Sequence, residues 1–130
     1  MSSSPQHHAP APMDLSDADA EDLALYREKF RRRLPESLDE LHGPTQVVVD
    51  LPLHMAWSGM TSYDLGKPRQ RTGLYRTVLH EGLRDDLPRC LNQDLLFQLW
   101  PVLRILVGRT VRAVWEDAFP QLASRTRAAA

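Results

Sequence analysis

The chain has one cysteine, Cys90, in 130 residues. That excludes an internal disulfide and suits a reducing cytoplasm. Glycine is scarce, and its six copies build neither a phosphate-cradling loop nor a dinucleotide fingerprint. A Gly-x-Ser-x-Gly nucleophile elbow is missing as well. No apolar run approaches the roughly 20 residues that span a bilayer, and the N-terminus shows no basic-then-apolar leader pattern. Nor is there an excess of one charge: the formal net charge is −1, which leaves only a local basic face for any nucleic acid. His42, His54 and His80 fall in separate segments, without metal-ligand spacing on one helix. The acid pairs Asp85-Asp86 and Glu116-Asp117 sit where helix capping or solvated surface explains them. With no convergent nucleophile, base or metal ligand, the residues point away from an enzyme and toward no cofactor.

What is present is a chain of one-domain size with the composition of a globular protein. Residues 1–15, rich in Ser, Pro, Ala and His, read as a disordered tail; His7-His8 alone make no metal site there. Residues 16–35 read as an amphipathic helix. Ser16 is its N-cap, Asp17, Asp19, Glu21 and Asp22 crowd its start, and Arg31, Arg32 and Arg33 its end, the order that suits a helix dipole. Leu23, Tyr26, Phe30 and Leu34 form its apolar stripe, either packed on the main domain or free to dock a partner, and Pro35 stops it.

A compact α+β domain is expected over 36–122, mostly helical with a short β-ribbon. After a turn at 37–41 and the loop His42-Gly43-Pro44, residues 47–57 alternate: Val47, Val49, Leu51, Leu53, Met55 and Trp57 on one face, Val48, Asp50, Pro52, His54 and Ala56 on the other. That period predicts a half-buried strand, with Pro52 at an edge or break and His54 exposed or bonded to backbone. Residues 60–65 then pair back as a second short strand after a turn at Ser58-Gly59. Pro68 opens a helix that runs to His80-Glu81 with Gly82 as its C-cap; Leu74, Tyr75, Val78 and Leu79 are its buried face. Arg71 falls in that same arc, where it snorkels or pairs with a carboxylate such as Asp64. Asp85-Asp86 cap a brief turn in which Cys90 is a buried or half-buried thiol rather than a nucleophile.

The last long stretch is the packing spine. Asn92 is an N-cap, Asp94 lies in the first turn, and Pro101 predicts a kink or a junction of two helices at Trp100. One helical wheel places Leu99, Trp100, Leu103, Leu106, Val107, Val111, Val114 and Ala118 on a buried arc, with Arg104, Arg109, Arg112 and Glu116 opposite. Ile105 lies among those arginines, which marks an interaction patch or a scattered surface aliphatic. Residues 123–130 read as a flexible tail.

In order along the chain stand Leu41-His-Gly-Pro44, Val49-Asp-Leu-Pro52 with His54 and Trp57, and Leu74-Tyr-Arg76 with Val78-Leu79 and Glu81-Gly82. Leu91-Asn92, Trp100-Pro101 and Val114-Trp-Glu-Asp-Ala-Phe-Pro120 follow. This pattern, over about 38–122, resembles small actinobacterial proteins encoded beside nucleotidyltransferase-like toxins of the AbiEii or MenT kind. The resemblance implies an antitoxin that binds and blocks a cognate toxin acting on transfer RNA ends, without catalysis of its own. It assigns no binding residue, so the expected partner surface is a physical choice: Arg104, Ile105, Arg109, Arg112, His54 and Trp57. Arginine forks match the carboxylates that a nucleotidyltransferase gathers around its metals, and the 47–57 strand offers an edge for pairing. A homodimer is compatible with these features. The rival reading is a small DNA-binding regulator whose arginines face phosphates, although the chain shows no helix-turn-helix spacing with a typical glycine turn.

Overall fold

The structure, a computed structural model, describes residues 17–56 and 60–129. Its centre is a helix, α5 (Gln93–Leu106), which begins because Asn92 turns its side chain back on the helix start. The Asn92 Oδ1 accepts the Asp94 and Leu95 N–H groups at 3.0 and 3.3 Å. Leu95, Leu96, Trp100 and Leu103 bury one face of it. Pro101 lies inside α5 without ending it, although its ring nitrogen cannot donate to Phe97. Trp100 and Leu103, both at 0% exposure, flank that position, and their packing holds the helix through the missing bond.

The break comes later, at Gly108. Its backbone (φ 86°, ψ 166°) lies in a region essentially reserved for glycine. The chain therefore turns there into α6 (Arg109–Ala118), followed by α7 (Pro120–Ala129). The turn also resets the helical phase, so a single wheel drawn through both helices misassigns residues. Leu106 is 38% exposed and Ala118 lies outside, while Trp115 and Phe119 are buried in their stead. Helix α7 carries on across the expected tail at 123–130 as far as Ala129, anchored by fully buried Leu122.

Helix α3 (Pro68–Glu81) lies against α5 and carries the ribbon and the short helices α2 (Leu53–Ala56) and α4 (Asp86–Cys90). Its limits and its buried Leu74, Tyr75, Val78 and Leu79 match the sequence pattern. Arg71 does not pair with Asp64; its Nε donates to the Leu65 carbonyl at 2.9 Å and ties the helix start to the end of the ribbon. The ribbon is two antiparallel strands, β1 (Val48–Asp50) and β2 (Ser62–Asp64), with Val49 opposite Tyr63.

The long strand expected over 47–57 is thus cut to three residues. Pro52 supplies no ladder N–H, and its carbonyl instead accepts from Met55 and Ala56, which starts α2. The alternation survives only in part: Leu51 and Met55 are buried, but Val47 is 64% and Leu53 78% exposed. Val47 also has φ +81°, a strained conformation for a β-branched residue.

The 3₁₀ turn Leu38–Glu40 is held by the Ser37 cap and by Arg84 on Glu40, and the loop behind it by backbone bonds and the Asn92 side chain on Gly43 O. His42 bridges Asn92, its N–H donating to Pro88 O, while Gly43 N–H reaches Leu91 O at 2.7 Å. A Cβ on Gly43 would lie 2.6 Å from the Cys90 carbonyl carbon, so only glycine fits this approach. The Asn92 N–H in turn donates to the Tyr75 hydroxyl at 2.8 Å, which joins loop, α3 and α5 at one point. Helix α1 (Asp17–Arg31) docks on α6 through its C-terminal end, where Phe30 is 3% exposed. The expected cap at Ser16 and the tail before it lie outside the described residues.

Candidate functional site: the α5–α6 corner

Once α5 has buried its Leu95, Leu96, Trp100, Leu103 side, Val102, Ile105 and Leu106 are left on another face at helical spacing. They are 52, 71 and 38% exposed, an apolar ridge at the C-terminal end of the helix. Sequence reasoning found Ile105 but placed Leu106 in the core and missed Val102. The signal was available in the i, i+3, i+4 spacing, hidden because Leu106 also fits the buried arc of an unbroken wheel.

The arginines expected beside Ile105 divide into separate roles. Arg104 is not free: its Nε donates to Glu116 Oε2 at 2.9 Å, and the same oxygen accepts the Trp100 indole N–H at 2.9 Å. Burial opposes the charge on Glu116. The bonds from Arg104 and Trp100, with the charges of Arg104 and Arg112, outweigh it and hold the carboxyl below its ordinary value of 4.5. Glu116 is therefore an internal clasp between α5 and α6, rather than the capping or solvated acid expected from its place in the sequence. Arg112 is half-buried beside this clasp. Arg109 is exposed, and among the described residues it has no hydrogen-bond or ion-pair partner. It opens α6, whose Gly108 N-cap offers no side-chain bond and whose first turn has no acidic residue. The helix dipole and the guanidinium add up there to a positive corner.

His54 belongs to a different part of the molecule. Its Nε2 donates to Asp86 Oδ2 at 2.7 Å, joining α2 to α4, and Asp86 also accepts the Leu83 N–H. Burial again works against ionisation of Asp86, but the bonds from His54 and Leu83 and the charges of His54 and Arg89 hold it below its ordinary 3.8. His54, expected to be exposed or bonded to backbone, is exposed, and it is also one half of a side-chain latch. No hydrogen bond or ion pair links it to the α5–α6 corner. Trp57 lies outside the described residues. The strand edge contributes little length: Leu65 N–H donates to Val47 O and Leu51 N–H to Thr61 O, so only Val48 and Asp50 turn backbone groups outward on β1.

A cleft of about 320 Å³ opens between α2, β2 and α3, lined among others by Met55, Tyr63, Arg76, Thr77 and His80. Part of its polar lining is engaged internally: the Tyr63 hydroxyl meets Thr77 Oγ1 at 3.3 Å, and His80 Nε2 donates to the Val107 carbonyl at 2.8 Å, whereas Arg76 is exposed. Cys90 is buried at the end of α4, where burial and then the Asp86 charge push its thiol up despite Arg89. Among the described residues no three of His, Cys, Asp and Glu converge as a metal site. Also among them, no helix is long and apolar enough to cross a membrane.

The arrangement defines a small α+β protein with an exposed apolar ridge at the end of α5. No protein-family model, curated protein or solved structure matches the chain.

Proposed function

We propose that this protein is a non-catalytic cytoplasmic neutraliser that docks its α5–α6 corner on a nucleotidyltransferase-like toxin and blocks it. The observation that carries the docking face is the ridge of Val102, Ile105 and Leu106, apolar side chains left in water at the end of a helix that buries another face. The identity of the partner rests on the resemblance of residues 38–122. The ridge supplies the water-excluding centre of such a contact, and Arg109 at the uncapped start of α6 supplies a charge for a carboxylate on the partner. Arg104 is committed to Glu116, so it orders the corner and does not reach across.

A second reading, a DNA-binding regulator, gains one feature: α5 and α6 meet through a glycine turn, as helix-turn-helix pairs do. Against it, α6 is covered by α1, α5 and α7, and of its two arginines only Arg109 is exposed. A recognition helix must leave its base-reading face open.

The test mixes the purified chain with the nucleotidyltransferase encoded beside it, then follows complex formation and nucleotide transfer to transfer RNA. We expect a tight complex and lost transfer. Ile105→Asp combined with Arg109→Glu should weaken the complex by about 100-fold, since a central apolar anchor and a paired charge each contribute about 1–3 kcal/mol. Full inhibition by the double variant would sink the corner as the docking face. No association at all would sink the toxin partner, and tight binding to operator DNA in its place would favour the regulator.

A further inference from the structure

The first half of α1 faces solvent. Residues 18–27 are exposed throughout, including Leu23 at 37%, Leu25 at 69% and Tyr26 at 46%. The far end of the helix is anchored by Phe30 on α6 and by Arg33 just beyond it, whose guanidinium donates to His80 O at 3.1 Å. A groove of about 290 Å³ runs along the free part, lined by Ala20, Leu23, Ala24, Arg27 and Arg31. The charges on this helix are segregated. Asp17, Asp19, Glu21 and Asp22 occupy its start, and Arg27, Lys29, Arg31 and Arg32 its end, with Glu28 the lone acid among them, bonded to Arg31 and Arg32. Arg27, Glu21 and Asp22 make no ion pair within the described residues.

Such a ladder is complementary to itself when reversed. A parallel copy would stack acid on acid, whereas an antiparallel copy related by a two-fold axis sets each acidic start against the other's basic end. With the axis at Ala24, Glu21 falls level with Arg27 of the second copy. Ala20 and Ala24, which line the groove beside Leu23, let the two backbones approach. We propose that α1 is a dimerisation helix and that its occupant is α1 of a second copy of this chain, packed antiparallel. Fifteen residues span only about 22 Å, less than a standard interface needs, so the dimer is weak and salt-sensitive.

Sedimentation velocity on the full chain tests this. The wild type should show a concentration-dependent monomer–dimer equilibrium that retreats toward monomer at high salt. Two charge-reversed forms, Glu21→Lys with Asp22→Lys and Arg27→Glu with Arg31→Glu, should each be monomeric alone and should form a heterodimer when mixed. Circular dichroism confirms that each retains its helices; should either unfold, Leu23→Ser, a change at a partly exposed site, should by itself dissociate the wild-type dimer. A wild type that stays monomeric at every concentration overturns the proposal. So do a dimer indifferent to reversal or to Leu23→Ser, and a mixture that restores nothing. Because α1 is separate from the ridge on α5, these variants leave toxin binding as an independent readout.

Discussion

At Glu116 one carboxylate oxygen receives both the Trp100 indole N–H and the Arg104 guanidinium, so the angle between α5 and α6 is held by a charge as well as by packing. The Glu116 side chain is only 16% exposed, and bonds to a charged acceptor there retain much of their strength. Glu116→Gln keeps the shape and removes the charge; it should lower stability by about 1.5–3 kcal/mol in urea unfolding. Arg104→Met should lose nearly as much, and the two together less than the sum, because they share one interaction. Additive losses would show that the clasp does not act as a unit. Gly43 acts through backbone at the same scale: it is needed because its loop touches the Cys90–Leu91 peptide and not because of any unusual φ.

Helix α5 illustrates how one element divides its labour by face. Leu103 at 0% exposure and Ile105 at 71% are two residues apart and turn to different environments. Leu103→Ala should therefore destabilise the fold by about 2–5 kcal/mol through the cavity it leaves. Ile105→Asp should change stability by no more than about 0.5 kcal/mol while it weakens partner binding by about 10-fold. Thermal melts of both variants check the pair; if Ile105→Asp unfolds the monomer, the ridge is core and not surface. The motifs that carry the antitoxin resemblance also belong to this scale. Leu41-His-Gly-Pro44 bridges Asn92, Asp50 accepts a hydrogen bond from the Ser62 hydroxyl, and Tyr75 receives the Asn92 N–H. They make the fold, which is why they indicate a scaffold and name no contact residue.

For the whole molecule, the carboxylates and Tyr75 set opposite pH limits. Glu116 and Asp86 have folded pKa values held below their ordinary 4.5 and 3.8. The unfolded chain thus takes up these protons first. Their contribution is complete above the ordinary values and is lost as pH falls through the lower folded ones. Tyr75 is buried, and burial pushes its hydroxyl from 10.0 up to about 12 against the Asn92 N–H and the Arg71 charge. Here the neutral form is the stable one, so the contribution is complete below pH 10.0 and disappears as pH climbs through about 12. Urea midpoints across pH should stay level between these limits and fall on both sides. Glu116→Gln should flatten the acid fall, and Tyr75→Phe the alkaline one; an unchanged acid slope in Glu116→Gln would exclude Glu116 as its source.

The sequence by itself determined the features that depend on near neighbours. Asn92 as a cap, Pro68 and Gly82 as limits of α3, the apolar face of that helix and the short antiparallel ribbon all follow from local hydrogen bonding and side-chain period. Tertiary structure decided everything that required competition between distant groups. Pro101 stayed inside a helix because Trp100 and Leu103 were buried on either side of it, and the break moved to Gly108, whose backbone conformation other residues avoid. Pro52 ended β1 because β2 offered pairing for only three residues, and the next backbone groups found partners in α2. Arg104 was engaged by Glu116 and Arg109 left without a partner among the described residues for the same reason. Glu116 comes within reach of Arg104 only after α6 folds back on α5, and a wheel drawn from one strip of sequence contains no such meeting.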